Sequence, residues 1–156
     1  VRLHVCSVGR LRVGPERELI DDYIARAERT GRSVGLGRFT LHEIGNTKGI
    51  GRSAEAALLR RVVPDGAKVV ALDERGAALT SPEFARQLGE WRDNGVRNVA
   101  FLIGGADGLD PDLRDGAHTR LAFGRMVWPH MIVRLMLAEQ LYRAVSILAG
   151  TPYHRD

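Results

Sequence analysis

Residues 99–109 read VAFLIGGADGL. An uncharged apolar run of this kind is a buried strand, and the glycines at 104, 105 and 108 mark a sharp turn at its carboxyl end. Working outward, residues 67–72 (AKVVAL) form another buried strand ending at Asp73, residues 3–8 an earlier one, residues 39–44 a further one, and residues 121–123 a brief one. Helical patterns separate them. Residues 16–29 place Leu19, Ile20, Tyr23, Ile24 and Ala27 at helical spacing, and Ser53 is an N-cap for a helix over 54–62. Ser81, Pro82 and Glu83 supply an N-cap, a first-position proline and an early acid for a helix that ends near Asn94. A short helix starts at Pro111, and a long one covers residues 129–148, with Pro129 at its first position. Strands alternating with helices predict an α/β fold, a mostly parallel sheet flanked by helices. With no repeat and no linker, the 156 residues read as one domain, 1–156.

Composition narrows the chemistry. Hydrophobic residues make up 44% and charged residues 27%, a globular mix that argues against disorder. Cys6 is the sole cysteine and lies in an apolar run, so neither a disulfide scaffold nor a zinc site is expected. The five histidines lack metal-ligand spacing, and no serine sits in a nucleophile elbow. The most apolar stretch, 131–150, contains Arg134, Glu139 and Arg143 and does not span a membrane; residues 1–10 are too short in apolar run for a secretory signal, which leaves the cytoplasm as the default. Net charge is +4, but residues 1–61 hold 12 Lys and Arg against 7 Asp and Glu. A basic half of this kind suits phosphate contacts, or is simply a solvated mixed-charge surface.

Four places can carry chemistry. Gly104 and Gly105 let main-chain N–H groups approach a ligand beyond a strand end, or only close a tight turn; the stretch matches neither the dinucleotide nor the phosphate-loop glycine pattern. Residues 123–130 (FGRMVWPH) make either an apolar wall with open main-chain groups, suited to a flat heterocycle, or a plain connection. The last helix is apolar nearly all round, which points to burial against a second subunit; its Glu139 and Arg143 stand four apart and either pair together or leave Arg143 for a phosphate. The ending TPYHRD, residues 151–156, groups a ring for stacking, an imidazole and a guanidinium, or is a frayed terminus.

FLIGGADGL (101–109), FGRMVWPHMIVRLMLAEQLYRA (123–144) and TPYHRD together closely resemble the bacterial large-subunit ribosomal RNA pseudouridine N3-methyltransferases of the SPOUT class. The resemblance runs the length of the chain and is most specific over residues 99–156. It implies a C-terminal trefoil knot, a homodimer, S-adenosylmethionine as methyl donor and the ribosome as partner. It places cofactor contacts at Leu72, Asp73, Gly104, Gly105, Gly124, Arg125, Met126, Val127, Trp128 and Pro129. His130, Arg143, Tyr153, His154 and Arg155 match positions facing the target nucleotide, with the tail reaching into the other subunit's site. A sulfonium methyl donor needs no metal, but the attacking N3 must lose its proton. His154 is the expected acceptor and Arg143 or Arg155 the stabilising charge, unless water takes the proton and these residues only bind. Two other readings remain: an RNA-binding factor that keeps the fold without catalysis, and a small-molecule nucleotide-binding protein.

Overall fold

The computed structural model describes residues 1–45 and 47–156. In chain order the elements are β1 (Arg2–Val8), α1 (Pro15–Gly31), a 3-10 turn (Arg32–Val34), β2 (Arg38–Ile44), α2 (Arg52–Val62) and β3 (Lys68–Ala77), followed by α3 (Ser81–Asp93), β4 (Asn98–Ile103), α4 (Pro111–Asp115), β5 (Thr119–Leu121) and α5 (His130–Ala149). The five strands form one sheet in the order β2-β1-β4-β3-β5, and every pairing is parallel. The expected α/β architecture is therefore present, and all strands end on the same side.

Burial explains why β1 and β4 are central. Their side chains alternate between two layers that are mostly apolar, so both faces are covered; the buried polar residues of β1 are His4, which bonds His42 and Asn98, and Ser7. Leu3, Val5, Val99 and Phe101 join Phe84, Leu88, Leu137 and Leu141 beneath α3 and α5, with Ala27 of α1 in the same layer. Cys6, Val8, Ala100 and Leu102 meet Ala56, Leu59, Leu109 and Leu113 on the side of α2 and α4. The largely apolar α5 is held mainly by α1 and α3 and buries Leu137, Ala138, Leu141, Ala144 and Val145.

Among the boundaries that differ from the sequence reading, five have a clear local reason. β3 does not stop at Asp73 but continues to Ala77, because Leu121 of β5 pairs with both Leu72 and Ala77 while the residues between bulge out. Gly76 is required there: a Cβ would lie 2.6 Å from the Arg120 carbonyl carbon. The cap of α3 is Thr80 rather than Ser81, since Thr80 and Glu83 form a reciprocal capping box, and Ser81 instead donates to Gln140 Oε1 at 2.7 Å. α2 starts at Arg52 after Gly51, whose φ of 85° leads the chain in, so Ser53 lies inside the helix. β5 covers 119–121 rather than 121–123, and Pro129 is the N-cap of α5 instead of its first residue. In the glycine-rich stretch 45–52, Asn46 lies outside the described residues.

No helix among the described residues is long and apolar enough to cross a membrane, and no group of three or more His, Cys, Asp or Glu there could hold a metal ion. Cys6 is fully covered, and burial pushes its thiol up to about 12. Only the thiolate reacts with alkylating reagents. A thiol reagent at mildly alkaline pH therefore leaves Cys6 unmodified in the folded protein and labels it fully in denaturant, as intact mass would record; rapid labelling of the native chain contradicts this placement.

Candidate functional site

A cleft of about 680 Å³ opens beside the bulge of β3 and the ends of β4 and β5, the side on which parallel sheets bind ligands. Leu72, Asp73, Gly104, Gly105, Gly124, Met126, Val127, Trp128, Pro129 and His130 all line it. Residues more than 50 positions apart in the chain are thus brought to one place by three adjacent strands. Arg125 is exposed and is not among the lining residues. Arg52, Arg75 and Val133 also line the cleft and were not singled out from sequence; their isolated positions carried no pattern.

The glycine turn is both a tight turn and a wall of the cleft. A Cβ on Gly104 would come within 2.4 Å of the Gly108 carbonyl carbon, and Gly108 N–H donates to Gly105 O at 3.0 Å. Behind Gly105 stands Glu55, whose Oε2 would be 3.1 Å from an added Cβ. Burial, and then the charge of Asp107, raise the pKa of Glu55. Asp73 is differently committed. Burial works to raise its pKa, but the bonds from Arg75 N–H at 2.8 Å and from the Arg75 side chain, with the charges of Arg75 and Arg114, hold it below the usual carboxylate range. Its carboxylate oxygens face these partners and are not free acceptors.

The opposite wall is the connection from Leu121 to α5. Gly124 adopts φ of 97° with open space where a Cβ would stand, and Met126, Val127 and Trp128 are 72%, 80% and 41% exposed. Trp128 Nε1 donates to Phe123 O at 3.2 Å, which fixes the indole over the connection. Among the described residues, the main-chain N–H groups of 124–128 have no protein partner. Unpaired donors beside apolar side chains suit a flat heterocycle with polar edges.

His130 closes this wall. Its Nδ1 is buried without a hydrogen bond, and burial, then the neighbouring Arg134 charge, lower its pKa. Arg134, one turn on, is only 5% exposed and reaches across the fold to donate to Val8 O and Gly9 O, the latter at 2.8 Å. Burial lowers the Arg134 pKa, with Glu43 acting against it.

The second group lies away from the cleft. Glu139 Oε1 accepts from Arg143 Nη2 at 2.6 Å and Nε at 3.1 Å, and from the Tyr153 hydroxyl at 2.9 Å. The guanidinium carbon of Arg143 sits 4.7 Å from the Tyr153 ring centre, and Nη1 meets His154 Nδ1 at 3.2 Å. A guanidinium only donates, so Nδ1 accepts, and the neutral ring carries its hydrogen on Nε2, 3.1 Å from Asp156 Oδ1. The tail is thus folded onto α5 rather than frayed. Glu139 and Arg143 do pair, as their spacing allowed, and the same arginine also meets the tail. The Glu139 bond raises the Arg143 pKa; burial and then Glu139 raise that of Tyr153. Arg155 is exposed. None of Arg143, Tyr153, His154 or Arg155 lines the cleft of their own chain.

A family model described as "Predicted SPOUT methyltransferase" matches residues 1–154. The ribosomal RNA large subunit methyltransferase H of Dinoroseobacter shibae is 61% identical over 155 residues, 99% of both chains, and that of Paracoccus denitrificans is 59% identical over 156 residues, 100% of both. Among solved structures, a methylase family protein from Haemophilus influenzae Rd KW20 shares the fold with a TM-score of 0.51 at 14% identity, over 99% of this chain and 70% of that one. The chain belongs to the SPOUT methyltransferase family.

Because Arg134 satisfies two strand-end carbonyls, Arg134→Met leaves buried acceptors unpaired and lowers the unfolding free energy by about 1–3 kcal/mol. Urea denaturation measures it; an unchanged midpoint would show that the guanidinium adds nothing there.

Proposed function

We propose that this chain transfers a methyl group from S-adenosylmethionine to N3 of a pseudouridine in large-subunit ribosomal RNA, acting on assembled ribosomal particles as a cytoplasmic homodimer of one-domain subunits spanning residues 1–156. Membership of the family supports the reaction class, and the name carried by the 61% identical relative supports the RNA. The observation that carries the reading is that the connection 124–128, whose main-chain N–H groups have no partner among the described residues, lines the same cleft as the glycine turn through Gly124, Met126, Val127 and Trp128. The trefoil knot belongs to the same reading.

The residues present fit the cofactor. The cleft has the volume of a cofactor site. Leu72, Val127 and Trp128 offer apolar contact, Gly105 and residues 124–128 offer main-chain donors, and the buried Nδ1 of His130 is an unfilled polar position. When bound, S-adenosylmethionine supplies a methyl group on a sulfonium whose leaving group is a neutral thioether. The protein's own work is to hold the nucleotide in line and to remove the N3 proton. Tyr153 stacks on the uracil-like ring, and Arg143 and Arg155 stabilise the imide anion. His154 takes the proton at Nδ1 as Arg143 turns from that nitrogen toward the developing charge.

The tail acts in the partner's cleft. Its separation from the cleft of its own chain supports this, as does a largely apolar groove lined by Leu19, Tyr23, Phe123, Leu135 and Met136, with Glu139 and Gln140 at its polar side, where a second copy can seat.

The activity is tested by incubating the protein with methyl-labelled cofactor and ribosomal particles lacking the modification, then mapping the labelled base; label on no particle overturns the proposal. His154→Ala lowers the single-turnover rate by about a hundredfold and removes the plateau reached at high pH, whereas an unchanged profile assigns the proton to water. Mixing His154→Ala with Gly105→Val subunits, each strongly impaired alone, restores about a quarter of wild-type sites if cleft and tail come from different copies. A mixture as impaired as its parts places them in the same chain.

A further inference from the structure

A second cleft, of about 1070 Å³, opens at the other end of the strands. Arg2, Arg32, Arg38, Arg92 and Arg97 line it, and no Asp or Glu does. The sheet register makes this cluster: Arg2 at the start of β1 pairs laterally with Arg38 of β2 and with Asn98 of β4, so cations distant in sequence share one edge. Glycine keeps the floor low, since a Cβ on Gly37 would come within 2.5 Å of the Arg32 side chain and one on Gly35 within 3.3 Å of Arg92. Arg92 is anchored, donating to Val34 O at 2.9 Å and Asp93 at 2.8 Å. Arg2, Arg32, Arg38 and Arg97 are exposed, and among the described residues they form no ion pair.

We infer that this edge grips the sugar-phosphate backbone of the ribosomal RNA substrate at a place remote from the reacting nucleotide. The inference rests on the rRNA reading above and adds a second contact to it. Four unpaired guanidiniums repel one another unless an anion lies among them, and each can bind phosphate oxygens through two parallel N–H bonds. They do not converge on one point. Spread across three neighbouring strands, about 10 Å at the usual strand spacing, they follow an extended polyanion better than a single phosphate. A second copy of this chain, itself of net charge +4, is disfavoured on a uniformly cationic edge. Because β4 runs six residues between the two clefts, the edge lies about 20 Å from the methyl-transfer cleft. Its arginines therefore govern capture of RNA and its salt sensitivity, not the chemical step.

The test is the triple variant Arg2→Gln, Arg38→Gln, Arg97→Gln beside the corresponding triple Lys variant. Binding to ribosomal particles lacking the modification is measured over a salt series, with cofactor affinity by calorimetry and thermal unfolding as controls. Loss of three phosphate contacts lowers the slope of log affinity against log salt by about 2. The Gln variant is expected to show that loss, with a raised KM for particles and an unchanged single-turnover rate at saturation; the Lys variant keeps the slope. A slope and affinity equal to wild type in a folded Gln variant overturn the inference, as does saturable binding of inorganic phosphate at this edge with no change in slope. The two readings fail separately. A wild type that binds RNA through this edge but labels no base loses the methyl-transfer proposal alone, and one that methylates with an unaltered slope in the variant loses this inference alone.

Discussion

A full positive charge sits inside this protein, and much of the site's geometry follows from how it is held. Arg134 is buried on a helix that is otherwise largely apolar; its Nη2 donates to the carbonyl oxygens of Val8 and Gly9, while its Nε is buried without a partner. A buried cation without direct carboxylate contact is tolerated only where such acceptors replace water. The contact ties the first turn of α5 to the carboxyl end of the central strand β1. It thereby sets where His130 stands in the cleft and how the connection 123–129 must cross it. The middle of the same helix carries Glu139 and Arg143, so one rigid element spaces the cleft wall from the tail.

The strands were legible because the sheet is parallel. β1, β3 and β4 are covered on both faces, and an uninterrupted apolar run followed by glycine or an acid is hard to place anywhere but in a buried strand. The cap of α3 was less legible. Ser81 followed by proline satisfies the usual signature, and so does Thr80 with Glu83 three places on; only the reciprocal bonding of the latter pair decides between them. Arg134 itself could not be read at all. In a hydropathy pattern it is merely an interruption, and its acceptors lie on a strand at the opposite end of the chain.

The candidate site shows the same division. The glycine turn and the stretch before Pro129 were visible as motifs, and they meet in space because β4 and β5 flank β3. Arg125, inside the second motif, is exposed and is not among the residues that line the cleft, although its neighbours on both sides are. The arginine edge was visible only in part, as a surplus of charge in the first half of the chain, since Arg92 and Arg97 lie outside that half. Register converts that surplus into a place, because Arg2 and Arg38 are neighbours across strands and Arg97 precedes β4 beside them.

One carboxylate oxygen, Glu139 Oε1, accepts from both Arg143 and Tyr153, and through Arg143 it also orients His154. The last residues are therefore preorganised: Tyr153 and His154 are held when the chain folds, and Arg143 alone turns once a nucleotide arrives. Recognition by such a terminus carries a smaller entropy penalty than recognition by a loose one, and tightness between related substrates is then governed by how slowly they leave more than by how fast they dock.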